Sequence, residues 1–130
     1  MSASLRVEPN WDSLLLARHK LILAAANAQV ELLDMPYFGL EDPLGLQEET
    51  KKASEIGFTG KCAIHPKQLD MINQVFSPNH EEVKKARDLI KKYESQDKAF
   101  VEIDGILMEK PVVERLYRII AISELIDNKE

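Results

Sequence analysis

The stretch EDPLGLQEETKKASEIG, Glu41 to Gly57, constrains the architecture of this chain more than any other. It carries a full set of helix boundaries. Asp42 stands at the cap, Pro43 at the first helical position and Gly57 just past the end. Glu48 and Glu49 precede Lys51 and Lys52 at supporting spacing. A short apolar run lies on each side. VELLDMPYFGL comes before, interrupted by Pro36 and Gly39; KCAI follows and stops at His65-Pro66. A bounded helix between two short apolar runs is a strand–helix–strand unit. Such strands run parallel and need helices on their faces. Two strands alone make a poor sheet, so the pattern predicts a piece of an α/β architecture.

The flanking segments extend this reading. Asn10 or Asp12 caps a helix reaching about Gln29, with Leu15, Ile22 and Ala26 near helical spacing. Pro66 biases His65 away from helical angles and opens a helix with Leu69, Ile72 and Phe76 on one face. Ser77-Pro78 punctuates the chain. A helix to about Tyr93 then carries Glu81 and Glu82 in its first turn and Val83, Ala86, Ile90 and Tyr93 along one stripe. AFVEIDG alternates and predicts a strand ending at Gly105. After Pro111 a last helix presents Val113, Leu116, Ile120 and Ile126.

Composition narrows the partners. A net charge of −5 with acids and bases interspersed argues against a nucleic-acid binder. Cys62 is the only cysteine, which excludes an internal disulfide and a four-cysteine zinc site. No apolar run approaches the ~20 residues that span a membrane, and the amino terminus lacks the apolar core of a signal peptide. A cytoplasmic protein is expected.

Four places carry residues suited to chemistry. His65 ends a strand, where parallel α/β folds gather ligands; the plainer alternative is a turn that starts a helix. Glu41 and Asp42 also follow a strand, and paired acids suit a hard cation. A helix cap explains Asp42 equally well and is preferred over a metal site. Asp104, Gly105 and Glu109 lie in a turn-rich strand exit, where a carboxylate serves as general acid or base or is simply solvated. Cys62, inside the KCAI strand, reads as inert packing. No dinucleotide, phosphate-loop or zinc-protease motif is present.

Taken together, RHKLILAAANA, the block EDPLGLQEETKKASEIGFTGKCAIHPKQLDMINQVFSP and IDGILMEKP resemble the carboxyl-terminal half of the citrate lyase beta subunit-like enzymes, with citramalyl-CoA and malyl-CoA lyases as nearer relatives. The resemblance runs from Leu5 to about Ile122. It implies the carboxyl-terminal part of a (β/α)₈ TIM-type barrel plus a helix-rich extension, with residues 1–76 as the last βα units and residues 77–130 as an extension containing a short strand. It implies a Mg²⁺-dependent carbon–carbon lyase acting on acyl-CoA thioesters, with an oxoacid and a CoA enolate as reaction partners, in a homo-oligomer. His65 and Pro66 then stand at the catalytic end of the last barrel strand, His65 as a binding or shaping residue. Glu41 and Asp42 are placed on the substrate side.

Two departures follow from the same resemblance. The family's substrate arginine and its two acidic metal ligands lie upstream of the matching region, so no metal ligand is assigned in this chain. The family's catalytic aspartate is replaced by Glu109, one methylene longer, and Arg6 stands where the family usually has glycine. The expected function is that of a truncated or split acyl-CoA lyase, inactive alone and completed by an amino-terminal half. The alternative is a non-catalytic CoA-binding or flap module derived from that family.

Overall fold

The computed structural model describes residues 2–96 and 100–127. The chain divides into two compact units, Met1–Phe76 and Ser77–Glu130, each with its own secondary structure.

The first unit opens with a short helix α1 (Ser2–Leu5) and the long helix α2 (Trp11–Ala28). Asn10, not Asp12, is the cap: its side chain accepts the Ser13 N–H. Arg6, in the chain between these helices, has φ 57°, in the left-handed region that glycine adopts without cost. The buried stripe of α2 is Leu14, Arg18 and Ala25, one residue out of register with the expected Leu15, Ile22 and Ala26. Three consecutive leucines, Leu14 to Leu16, leave that register ambiguous in the sequence.

Strands β1 (Leu33–Asp34) and β2 (Gly60–Lys61) pair in parallel, Leu33 opposite Gly60 and Asp34 opposite Lys61. They are joined by helix α3 (Pro43–Ile56), with the predicted boundaries: Asp42 accepts the Gly45 N–H and Gly57 caps at φ 115°. The second strand therefore falls earlier than KCAI. Cys62 lies beyond it and is exposed, so it is not core packing. Its N–H still reaches the Asp34 carbonyl at 3.0 Å. A 3₁₀ turn (Pro66–Gln68) leads into α4 (Leu69–Phe76). Ile72 is buried there, but Leu69 is 47% exposed.

The second unit contains α5 (His80–Glu94), the hairpin β3 (Val101–Ile103) and β4 (Ile106–Met108), and α6 (Lys110–Asp127). Helix α5 starts with a capping box, Asn79 accepting from Glu82 N–H while the Glu82 carboxylate accepts from Asn79 N–H. Strand β4 is absent from the sequence reading, which ended the strand at Gly105. Asp104 and Gly105 both have positive φ, 52° and 77°, the two-residue turn that lets antiparallel strands return directly. Ala99, in the expected strand, lies outside the described residues. Leu89, Ile90, Ile103, Met108 and Val113 form this unit's core, with Tyr93, Leu116 and Ile120 against it. Ile126 is exposed.

Candidate functional site

The carboxyl ends of β1 and β2 lie side by side, and the loops leaving them are joined by one buried side chain. Gln68 donates from Nε2 to the Tyr37 carbonyl at 2.8 Å and accepts the Ile64 N–H through Oε1 at 3.0 Å. It thus ties the loop after β1 to the loop after β2. His65 sits between Ile64 and the turn, half-buried, with Nδ1 accepting the Lys67 N–H at 3.1 Å. That bond leaves the ring proton on Nε2, so the free edge of the ring is a donor. Pro66 is exposed behind it.

Asp42 has two partners: the Tyr37 hydroxyl at 2.6 Å and the Gly45 N–H at 2.9 Å. Bonding from the phenol, then from the backbone, holds its carboxyl below the usual 3.8. The hydrogen bond to Asp42 pushes the Tyr37 phenol up from 10.0 to about 12. Gly45 is needed here: a Cβ would collide with the Asp42 carboxylate and the Tyr37 hydroxyl. Glu41, its neighbour, is exposed.

Beneath these loops lies a cluster that the sequence reading missed. The Asp34 carboxylate accepts from Arg18 Nε at 3.0 Å and from Lys61 Nζ at 2.7 Å. Lys61 Nζ also meets Glu49 Oε1 at 2.7 Å, and Arg18 Nη2 lies 3.8 Å from the same oxygen. Two cations and two anions balance in a site where Arg18 and Asp34 are 3% and 2% exposed. The Arg18 guanidinium also lies 4.3 Å over the Trp11 ring, a favourable cation–π contact. The signal was available: Arg18 interrupts the apolar stripe of α2, and Lys61 interrupts a buried strand end. A charge in such a place needs a partner, but the partners lie 12 to 31 positions apart.

Glu109 stands apart, in the second unit. It is half-buried and its carbonyl accepts the Val113 N–H at 3.0 Å, opening α6. Among the described residues no three His, Cys, Asp or Glu side chains gather as a metal site. Asp34 and Glu49 are engaged by buried cations and Asp42 by Tyr37. Among the described residues these engaged acids are not grouped as ligands that would suit magnesium.

A parallel βα piece with loops gathered at its strand ends is a unit of α/β folds, and comparison with known proteins assigns it to a barrel family. The family model described as a C–C bond lyase of the TIM-barrel fold matches residues 11–112. The citrate lyase subunit beta of Leuconostoc mesenteroides subsp. cremoris is 30% identical over 88% of this chain and 39% of that protein. Human mitochondrial citramalyl-CoA lyase is 28% identical over 89% of this chain and 35% of that protein. Among solved structures, RipC from Yersinia pestis is 41% identical with a TM-score of 0.62, covering 64% of this chain and 39% of that chain. CitE from Mycobacterium tuberculosis, solved with magnesium, acetoacetate and coenzyme A, has a TM-score of 0.77 at 24% identity, covering 95% of this chain and 49% of that chain. This chain belongs to the TIM-barrel C–C bond lyase family and spans roughly two-fifths of the length of these curated relatives. No helix among the described residues is long and apolar enough to cross a membrane.

Proposed function

We propose that this chain supplies the closing βα units and the carboxyl-terminal extension of an acyl-CoA carbon–carbon lyase, residues 1–76 forming the barrel part and residues 77–130 the extension. The observation that carries this reading is the Gln68 staple, which fixes His65 at the carboxyl end of a parallel strand pair with its Nε2–H free to donate. Barrel enzymes assemble their sites at that end. His65 offers its N–H to a thioester carbonyl or a CoA phosphate, and Pro66 shapes the turn beside it. Glu41 and Asp42 close the substrate side, Asp42 held ionised by Tyr37 and Gly45. Relatives whose names cite citrate and citramalyl-CoA, and a neighbour solved with coenzyme A, support this substrate class.

In the reaction, the bond between the hydroxyl-bearing carbon and the α-carbon of the thioester breaks. The hydroxyl proton passes to a base in the remaining barrel part as the oxoacid carbonyl forms. The bond's electron pair passes to the thioester as an enolate, which must be protonated. Glu109 is assigned that proton delivery. Magnesium in the complete family enzyme would be held by acids outside this chain, and the enzyme would work in the cytoplasm as an oligomer. A second reading is a CoA-binding or flap module without turnover.

The test supplies the full chain with the part of the Leuconostoc subunit that precedes the matched region and measures cleavage of malyl-CoA and citramalyl-CoA. Weak turnover is expected. Glu109→Asp raises it, because one methylene displaces the carboxylate by roughly 1 Å, which can cost on the order of 100-fold. Glu109→Gln lowers it by about 100- to 10,000-fold. Equal rates for Glu109 and Gln would remove Glu109 from the chemistry. CoA binding that depends on His65, with no turnover in any form, would select the flap reading.

A further inference from the structure

The second unit holds a cavity of its own, lined from α5, β4 and α6. Its volume is about 320 Å³, near the lower end of the roughly 300–1,000 Å³ that small-molecule sites occupy. Leu89, Ile106, Leu116 and Ile119 line it. Leu89 is buried in the core, but Ile106, Leu116 and Ile119 are only half-buried. Leu116 and Ile119 stand one turn apart on α6, beside the Val113 and Ile120 that pack in or against the core. The apolar face of α6 is thus wider than the core it covers, and the surplus borders the cavity. Taking that surface out of water is favourable. No aromatic side chain lines the cavity, so it has no stacking platform for a flat ring. Its walls suit an aliphatic chain.

The mouth supplies charge. Lys85 of α5 and Arg115 of α6 line the cavity and are exposed. Neither is engaged in a hydrogen bond or ion pair among the described residues. The acid beside them, Glu82, is already committed, since its carboxylate accepts the Asn79 N–H in the capping box. Two unmatched cations from facing helices therefore border an apolar cavity. The planar guanidinium fork matches a carboxylate or a phosphate, and a lysine adds a point charge.

We propose that this cavity binds a single aliphatic chain with an anionic head, the chain lying along Leu89, Ile106 and Ile119 and the head between Lys85 and Arg115. A fatty carboxylate and an alkyl phosphate share that chemistry. A peptide is a poorer occupant. The lining is largely helical, so its backbone groups are already bonded and offer nothing to a peptide's own N–H and C=O. None of the residues assigned to lyase chemistry lines the cavity, and the proposal stands apart from that reading.

The experiment titrates the full chain with decanoate, by calorimetry and by methyl NMR. Saturable one-to-one binding that shifts the methyls of Leu89, Ile106, Leu116 and Ile119 is expected. Octanoate, two methylenes shorter, binds about 10-fold more weakly. Decanol, which keeps the chain and loses the charge, is weaker by about 10-fold, the loss expected of one charge-assisted hydrogen bond. Arg115→Gln and Lys85→Gln, at exposed positions compatible with folding, each weaken decanoate by a similar factor, and Arg115→Lys retains more than Arg115→Gln. Lys110→Gln, at an exposed cation of α6 outside the lining, leaves binding unchanged. Decyl phosphate run beside decanoate separates the two sources, and tighter binding of either supports the proposal. Absence of saturable binding, decanol binding as tightly as decanoate, or both Gln variants binding like the parent overturns it. So does a dimer, seen by sedimentation velocity, that Ile119→Lys dissolves while decanoate fails to bind, because that result gives the cavity to a second copy.

Discussion

The two units of this chain are held together by different physics. The second unit has an apolar core of Leu89, Ile90, Ile103, Met108 and Val113. Burial of such side chains is non-directional and complete within the unit. The first unit buries Leu14, Leu46, Ala53, Phe58 and Ile72, but also Arg18, Asp34, Thr50, Lys61 and Gln68. Among the described residues, every buried polar or charged one lies there. Buried charges contribute only when their geometry is complete. The difference teaches that the first unit is specified by partners and the second by packing; among the described residues, the buried side-chain donor without a hydrogen-bond partner, Arg18 Nη1, lies in the first.

The largest effect should come from breaking the ionic side of that contrast. Asp34→Ala leaves Arg18 and Lys61 buried with Glu49 alone, an imbalance that typically costs about 3–5 kcal/mol. Chemical denaturation followed by amide exchange should show the first unit melting while the second keeps its protection. Equal loss in both units would erase the contrast. Met108→Ala is the matching change in the second unit, where the side chain is fully buried. A cavity of that kind costs roughly 2–5 kcal/mol, read as lost protection of β3, β4 and α5.

A smaller effect is expected at the hairpin. Gly105 has φ 77° with open space around the Cβ position, so Gly105→Ala suffers only from backbone conformation, about 1–2 kcal/mol. Gly105→Asn, which tolerates the left-handed region, should lose less. A thermal melt of the two variants that ranks them in the opposite order would sharpen the comparison against the turn.

The smallest effect is a titration in the first unit. The Tyr37 phenol has its folded value raised to about 12 from 10.0. Its contribution is therefore fully present below pH 10 and is lost as pH rises toward 12. The Asp42 carboxyl is lowered, so its contribution is present above 3.8 and fades as pH falls below it. Tyr117 is raised too, by its hydrogen bond to Glu94, so ultraviolet titration should find late-ionising tyrosines of which only Tyr37 moves back toward 10 in Asp42→Ala. No movement would show that the Tyr37–Asp42 bond does not hold in solution.

Legibility in the sequence followed the range of the interactions. Helix α3 was readable to the residue because Asp42, Pro43 and Gly57 act locally. The family block around His65 was readable as a pattern. Strand β4 was not read, although Asp104-Gly105 between apolar residues is a hairpin signal, because the alternating run before it was taken to end there. The Arg18–Asp34–Lys61–Glu49 cluster was invisible because its members come from two helices and two strands. Gln68 received no role from the sequence, yet it is 3% exposed and links two loops. For the ion cluster and for Gln68 the missing information was tertiary; for β4 the signal was local.

The proposed function makes the first unit part of a barrel that gains stability from further βα units, while the second unit packs on a core of its own. Residue-resolved amide exchange of the chain, alone and with the amino-terminal part of the Leuconostoc subunit, tests it most directly. Alone, the amides of Ile90, Ile103 and Met108 should exchange slowly and those of Leu33, Asp34 and Lys61 quickly. On addition, the second group should slow by about 10-fold or more while the first stays fixed, since covering a face and pairing an edge raises the local cost of opening. Equal, strong protection of both groups in the chain alone, unchanged by the added segment, would contradict it.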